Sequence, residues 1–366
     1  MKVLLIANSK VVFGRELQTQ LVQRNINAAL LDFEFLSLVD SDQNNDFKYS
    51  NLFNKFRKIP KLSMFFRMWY IKKVIQDNRF DVINIHISRW PYLMILPWLT
   101  RRRFVITFYG SDFYRTSDFT KKIQINLYKQ ADALTFTNPN TKKSFLEYYK
   151  KFQSKSYVCR FGLQTLNFIN KNKNKDRQEI KKDLGYSTDK IIITCGYNST
   201  KEQQHDIMID SICKLPKNVL NSAQFIFPMT YGDTAHKEKV KLKLNSMNFD
   251  YIVLEDFLYT DKNANIKLAS DIMINILETD SFSGSMQEFL YANNVVITGN
   301  WLPYQVFDDA GVEYIKIDNI NELSRTLERA ISSGSKLFDT TKNTKIISDL
   351  SLWDNTIEKW ISVYEN

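Results

Sequence analysis

Twelve short apolar runs punctuate this sequence, and longer stretches with helical periodicity fill the spaces between them. The first six fall at 3–7, 28–31, 82–86, 104–108, 133–137 and 157–160. The second six fall at 191–195, 225–228, 251–254, 272–276, 295–298 and 314–317. Continuous Val/Ile/Leu runs are the mark of strands buried on both faces, and strand–helix alternation is the pattern of parallel sheets with crossover helices. Between the two sets lies 170–176, Asn-Lys-Asn-Lys-Asn-Lys-Asp, which has no core-forming residue and reads as a linker or exposed loop. The pattern predicts two doubly wound α/β domains, residues 1–168 and 177–345. A last segment, 346–366, carries Trp353, Ile357, Trp360, Ile361 and Tyr364 at helical spacing.

Composition narrows the class. Of 366 residues, 44 % are apolar and 25 % charged, which is globular and not disordered. The longest apolar run, 90–99, is broken by Pro91 and Pro97 and is about half the length that a membrane span needs. The start turns polar by Asn8 and Ser9, too soon for a signal peptide, so a cytoplasmic location is expected. Cys159, Cys195 and Cys213 have no ligand spacing and read as reduced core thiols. The only histidines, His86, His205 and His236, form no zinc pattern, so no metal is expected. No recognised nucleic-acid module accompanies the net charge of +10, and nucleic acid is not an expected partner. The charge is instead concentrated. Residues 51–103 hold twelve cations against Asp77 and Asp81. Interleaved with them are Phe53, Phe56, Phe65, Phe66, Trp69 and Tyr70. Cations for anionic headgroups and rings for the acyl boundary are what an interfacial segment needs. The alternative is an ordinary helix whose aromatics fill the core while its lysines face water.

In open parallel sheets, ligands bind beyond the carboxyl ends of the strands. After 272–276 come Asp280, then Ser283-Gly284-Ser285 opening a helix, then Glu288. Free N–H groups at a helix start, with small residues around them, suit an anion such as a diphosphate. A plain N-capped helix with solvent carboxylates is the other reading. After 191–195 stand Gly196 and Tyr197, with Lys201 and His205 as candidate cations. After 225–228, Thr230 and Tyr231 are placed to line the same pocket. In the first domain Gly110 allows a tight turn and Asp112 is a candidate base or sugar-hydroxyl ligand. An ordinary turn capped by Asp112 is the alternative. His86 ends a strand and is either catalytic or structural. There is no Gly-x-x-x-x-Gly-Lys-Ser/Thr loop and no Gly-x-Gly-x-x-Gly after the first strand.

Asp280-x7-Glu288, followed by Tyr291-Ala292-Asn293-Asn294-Val295-Val296, resembles the glutamate-x7-glutamate motif of retaining glycosyltransferases such as family 4. Tyr109-Gly110-Ser111-Asp112 is similar to the His-Gly-x-Asp loop of that family. The departures are Asp280 for the first glutamate, Tyr109 for the histidine, and Tyr197 where the family has arginine. The resemblance implies the GT-B architecture: two Rossmann-like domains facing across a cleft, with the C-terminal helix crossing back to the first. It also implies Glu288 on the nucleotide ribose and Asp280 near the donor sugar and phosphate. Asp40-Ser41-Asp42 stands in a polar run and not at a strand end, which counts against the metal-dependent GT-A mechanism. The expected function is metal-independent transfer of a sugar from a nucleotide donor, with no cofactor. The expected acceptor is a glycan or polyprenyl-linked oligosaccharide in surface-polysaccharide assembly, met at an anionic membrane surface through 51–103. A nucleotide-sugar 2-epimerase of the same fold and a non-catalytic glycosyltransferase-like partner subunit are the alternatives.

Overall fold

The computed structural model describes all residues except 9–11, 35, 40–43, 46–58, 257, 259, 281 and 334–339. The chain divides into two units. One is Met1–Gly162 with Trp353–Asn366, the other Leu163–Leu352.

The first unit is built on an eight-stranded sheet. Its strands are β1 (Lys2–Ala7), β2 (Asn27–Asp32), β3 (Leu38–Val39), β4 (Asn44–Asn45), β5 (Val82–His86), β6 (Arg103–Phe108), β7 (Ala133–Phe136) and β8 (Ser156–Val158), in the order β4-β3-β2-β1-β5-β6-β7-β8. The pairs from β2 to β8 are parallel, as the buried apolar runs require. β3 and β4 extend the edge antiparallel and have no apolar run to announce them. Successive side chains point to opposite faces, so each run feeds two cores. Leu4, Ile6, Ile83, Ile85, Phe104 and Ile106 face one core, while Val3, Leu5, Val82 and Val105 face the other. Helix α1 (Val12–Gln23) follows β1, and α2 (Pro60–Asp77) precedes β5.

The second unit holds β9 (Ile191–Cys195), β10 (Ala223–Pro228), β11 (Tyr251–Leu254), β12 (Ile272–Asn275), β13 (Val295–Gly299) and β14 (Ile315–Ile317). All are parallel, in the order β11-β10-β9-β12-β13-β14. This is the 3-2-1-4-5-6 order of the Rossmann fold, and the strand order reverses between β9 and β12. The helices that matter for the site are α3 (Gln164–Asn172), α4 (His205–Ile212), α5 (Thr260–Ala269) and α6 (Gly284–Tyr291).

The polar stretch 170–176 is not a linker. Its first residues finish α3, and Asp176 caps the helix Arg177–Asp183 by accepting from the Gln178 N–H at 3.0 Å. Arg177 then bonds the carbonyls of Leu268, Ala269 and Ser270, so the stretch is tied into the second unit. The chain passes between units at 162–163 and 352–353, in place of the expected boundaries at 168, 177 and 346. Of the three cysteines expected in the core, Cys159 and Cys195 are buried but Cys213 is exposed.

The last helix, α7 (Trp353–Glu365), belongs to the first unit. Trp353 and Trp360 are buried there. The Trp353 indole donates to Glu16 at 3.0 Å and the Trp360 indole to the Arg160 carbonyl at 2.8 Å. The Trp360 ring stacks on Phe161 at 5.0 Å. Burial of each indole contributes up to about 5 kcal/mol. Gly162 makes this packing possible, because a Cβ there would lie 2.4 Å from Trp353 Cγ. Below the helix a polar chain crosses the sheet. Asn84 donates to the Tyr364 hydroxyl at 2.7 Å, Thr107 donates to Asn84 at 2.9 Å, and the Thr107 and Thr135 hydroxyls lie 2.8 Å apart.

Candidate functional site

β9 and β12 are neighbours, and the loops beyond their carboxyl ends are joined. The Gly196 N–H donates to the Ile274 carbonyl at 3.0 Å, the Glu278 N–H to Glu202 at 3.0 Å, and the Gln204 side chain to Ile276 at 2.5 Å. Gly196 turns the chain at φ +68. A Cβ there would meet Gln203 Oε1 at 2.6 Å and His205 Nε2 at 3.3 Å, so the position requires glycine on two counts. The loop beyond β10 is stitched to the same place. The Ser199 N–H and hydroxyl both donate to the Tyr231 carbonyl, at 2.8 and 2.9 Å. Thr230 sits half-buried beside it, and the Tyr231 ring is exposed.

The turn after β12 leads into α6. Ser283 is the N-cap, accepting from the Met286 N–H at 3.0 Å, while the Gln287 amide donates back to the Ser283 carbonyl at 3.0 Å. Gln287 in turn accepts from Ser351. The helix start is thereby fixed, with its positive dipole end at the crevice. Gly284 leaves room for Leu163, whose Cδ2 would lie 3.3 Å from a Cβ. Asp280 accepts from the Tyr304 hydroxyl at 2.5 Å, and Tyr304 also accepts from Asn275 at 3.1 Å. Burial, then the Asp280 charge, raises the Tyr304 pKa, so the phenol stays a donor. Tyr197 is likewise held neutral, first by burial and then by Asp280 and Tyr231. Its backbone N–H donates to Gln203 Oε1 at 3.3 Å. Where the resemblance has an arginine, this chain presents a neutral hydrogen-bonding group.

Glu288 is nearly buried and ion-paired. Its Oε2 lies 3.0 Å from Lys267 Nζ and accepts from the Asn263 amide at 3.4 Å. The expected cations behave differently from one another. Lys201 is exposed and stands 3.7 Å from Asp233. His205 is fully buried, and its pKa is lowered to about 3 by burial and then by His236, whose Nε2 lies 3.3 Å from its Nδ1. The expectation of a cationic His205 is corrected, because a neutral imidazole brings hydrogen bonding but no charge.

Four buried polar atoms here have no partner among the described residues: Gln203 Nε2, His205 Nε2, Asn275 Oδ1 and Ser285 Oγ. All belong to segments at or just beyond the carboxyl ends of β9 and β12. An unsatisfied buried polar atom costs about 1–3 kcal/mol, so a cluster of them calls for a ligand or water. Sequence reasoning named Gly196, His205 and Ser285 but missed Gln203, Asn275, Tyr304, Asn263 and Lys267. Asn275 carried a signal, a polar residue closing an apolar strand. Lys267 carried another, a lysine among the buried Ala264, Ile266 and Ala269 of α5.

In the first unit, the Gly110 turn follows β6 at φ +109. Asp112 is buried and accepts three backbone N–H bonds, from Tyr109 and Gly110 at 3.0 Å each and from Ser88 at 3.3 Å. Its pKa rises to about 6 through burial, which those bonds oppose. The geometry is that of a turn-organising carboxylate. His86 is buried at the end of β5, with Nδ1 2.9 Å from the Tyr109 hydroxyl and its ring nearly coplanar in orientation (3°) with Trp360 at 6.3 Å. Burial lowers its pKa to about 3, so it is a neutral imidazole, and its Nε2 has no partner among the described residues.

Residues 2–138 match the sequence model of the family described as Glycosyl transferase 4-like. No curated protein is similar enough in sequence to match the chain. The crystal structure of Anabaena Alr3699/HepE in complex with UDP superposes over 100 % of both chains, with TM-score 0.71 and 12 % identity. The same protein in complex with UDP-glucose gives TM-score 0.68 at 10 % identity, over 100 % of both chains. A glycosyltransferase from Rickettsia africae ESF-5 gives TM-score 0.76 at 14 % identity, over 100 % of this chain and 98 % of that one. Sucrose-phosphate synthase from Thermosynechococcus elongatus gives TM-score 0.71 at 11 % identity, again over 100 % and 98 %. At these identities the likeness establishes the fold. The chain has the GT-B fold along its length, and in its first unit it resembles the Glycosyl transferase 4-like family, the class of transferase enzymes to which its strand-end motifs point.

Proposed function

We propose that this chain transfers a sugar from a nucleotide-sugar donor, with the donor held by the second unit. The observation that carries this reading is the cluster of partnerless polar atoms at the ends of β9 and β12, beside the α6 N-terminus. A nucleoside diphosphate fits the donors of this cluster. The diphosphate meets the α6 N–H groups and Ser285, Gln203 and His205 donate to its oxygens, and the ribose reaches Glu288. Asp280, oriented by Tyr304, takes a hydroxyl of the donor sugar. Charge on the leaving diphosphate is then met by the helix dipole and neutral donors, with Lys201 free to swing in from the surface. The UDP and UDP-glucose complexes of the Anabaena neighbour support a nucleotide sugar as substrate.

The acceptor is a glycan on a lipid carrier, and the first unit meets it at an anionic membrane. On α2, Leu62, Phe65 and Trp69 lie on one exposed face, at 41, 53 and 40 % exposure, while Met68, Ile71 and Ile75 fill the core from the other. The buried face fits the core-filling reading of this segment, and the exposed face supports the interfacial one. Lys72 and Lys73 follow on the same helix, Lys72 over the Trp98 ring at 4.0 Å, and Arg101 and Arg102 are exposed. Lys55, Arg57, Lys58, Phe53 and Phe56 lie outside the described residues, as does Asp40-Ser41-Asp42. Surface-polysaccharide assembly is the role that this combination of fold and surface supports.

The reading is tested by a thermal-shift panel of UDP, GDP, ADP, CDP and dTDP. A ligand that binds only the native state raises the melting temperature. One diphosphate should do so at sub-millimolar concentration. No shift with any of them would refute the donor site.

A further inference from the structure

Glu288 does not reach its pocket alone. Lys267 comes up from α5 on a side chain only 6 % exposed, and Glu288 itself is 12 % exposed. The ammonium is 3.0 Å from Glu288 Oε2 and bonds the Asn263 carbonyl oxygen, whose amide donates to the same Oε2. The lysine is further held over the Phe289 ring, 5.2 Å from its centroid. Burying such a pair is expensive in desolvation, and well-packed apolar residues would stabilise the unit as well or better. The pair does, however, impose a geometry. Both polar contacts fall on Oε2, and neither Lys267 nor Asn263 engages Oε1.

We propose that Lys267 is a positioning residue for the ribose of the nucleotide sugar, fixing one oxygen of Glu288 so that the other presents to the vicinal hydroxyls. This rests on the donor site proposed above and deepens it. A carboxylate locked through one oxygen discriminates ribo from deoxy nucleotides. A freely rotating one, solvated on both oxygens, loses that selectivity while the diphosphate contacts remain. Lys267 touches no substrate and acts through Glu288 alone.

The test is calorimetric titration with UDP, GDP and ADP and with their 2′,3′-dideoxy counterparts. Wild type should bind the ribo form of its preferred diphosphate about tenfold or more tightly than the dideoxy form. In Lys267→Met, which keeps the length of the stem and removes the charge, that ratio should fall toward one while affinity for the dideoxy form stays unchanged. A purely structural role would weaken both forms alike. Asn263→Ala should lower the ratio in the same direction, and it decides the matter if Lys267→Met does not fold. A wild-type ratio in folded Lys267→Met, or in Asn263→Ala when the first variant is unfolded, overturns the role of Lys267 and leaves the donor site standing. If no diphosphate binds wild type, the donor site falls and this inference with it.

Discussion

The strand ends of the two units are finished differently. In the first unit the polar groups in and just beyond β5 and β6 are mostly turned on the protein itself, with His86 Nε2 as an exception that has no partner among the described residues. Asp112 gathers three backbone N–H groups, and Asn84, Thr107, Thr135 and Tyr364 bond one another under α7. In the second unit Gln203, His205, Asn275 and Ser285 each keep a buried polar atom without a partner among the described residues. The same sheet architecture thus supplies a scaffold in one place and a pre-formed candidate site in the other. Satisfied networks rigidify, and unsatisfied ones need a ligand.

The largest effect should come from breaking the scaffold. Trp360→Ala removes a ring stacked on Phe161 and an indole bond to Arg160, at a cost of about 3–5 kcal/mol. Calorimetric melting should show a strongly destabilised protein whose remaining folded fraction binds nucleoside diphosphate as wild type does. A parallel loss of affinity would mean that the two regions are not independent.

Next in size is a pH effect on Asp112. Its folded pKa of about 6 lies above the ordinary value of 3.8, so the protonated form is the one that folding favours. The stability it allows is complete below about pH 4 and is lost as pH rises through 6. The loss is about 3 kcal/mol. Asp112→Asn lacks this titration. Wild-type stability measured against that variant should therefore decline between pH 4 and 6.5, and a flat difference would show that the carboxylate does not titrate there.

Glu288→Ala sharpens the other side of the comparison. It should weaken nucleoside diphosphate binding by about 1.5–3 kcal/mol, whereas Asp112→Asn should leave binding unchanged. Titration of both variants with one ligand separates the regions. Equal affinities in wild type and Glu288→Ala would remove the ribose role.

The surface prediction is smaller per residue. Anionic but not neutral vesicles should bind the protein, more weakly as salt rises, with each cation contributing on the order of 1 kcal/mol. Changing Lys55, Arg57, Lys58 and Lys61 to Glu, or Phe65 and Trp69 to Ser, should release it without touching nucleotide affinity. Retention of either variant on the vesicles would send the search for the acceptor elsewhere. Chelation should have the smallest effect of all, because the carboxylates of the site are already engaged, Glu288 by Lys267 and Asp280 by Tyr304. Transfer abolished by EDTA and restored by Mg²⁺ would contradict this.

Much of the fold was legible because buried parallel strands announce themselves as apolar runs, and all twelve expected runs lie in or overlap strands. The edge strands β3 and β4 were not, since four residues including Asn44 and Asn45 carry no apolar pattern. The linker reading of 170–176 failed because polar composition does not reveal that Arg177 is anchored on three carbonyls. In the site, Gly196, Asp280 and Glu288 could be found because each follows a strand. Lys267, Asn263 and Tyr304 come from other elements and meet the motif only through packing. Residue type also hides protonation. His205 was taken as a candidate cation, and only its burial shows that it is neutral. Asp112 was open as a candidate base or as the cap of an ordinary turn, and the three N–H groups around it favour the turn.

The central claim is that the donor site lies at the ends of β9 and β12 and not at the ends of β5 and β6. Hydrogen exchange with and without a saturating nucleoside diphosphate tests it most directly. Ligand should slow exchange in 196–205 and 280–288 and leave 86–88 and 107–114 as they were. Protection confined to 86–88 and 107–114, with the second unit unaffected, would contradict the account.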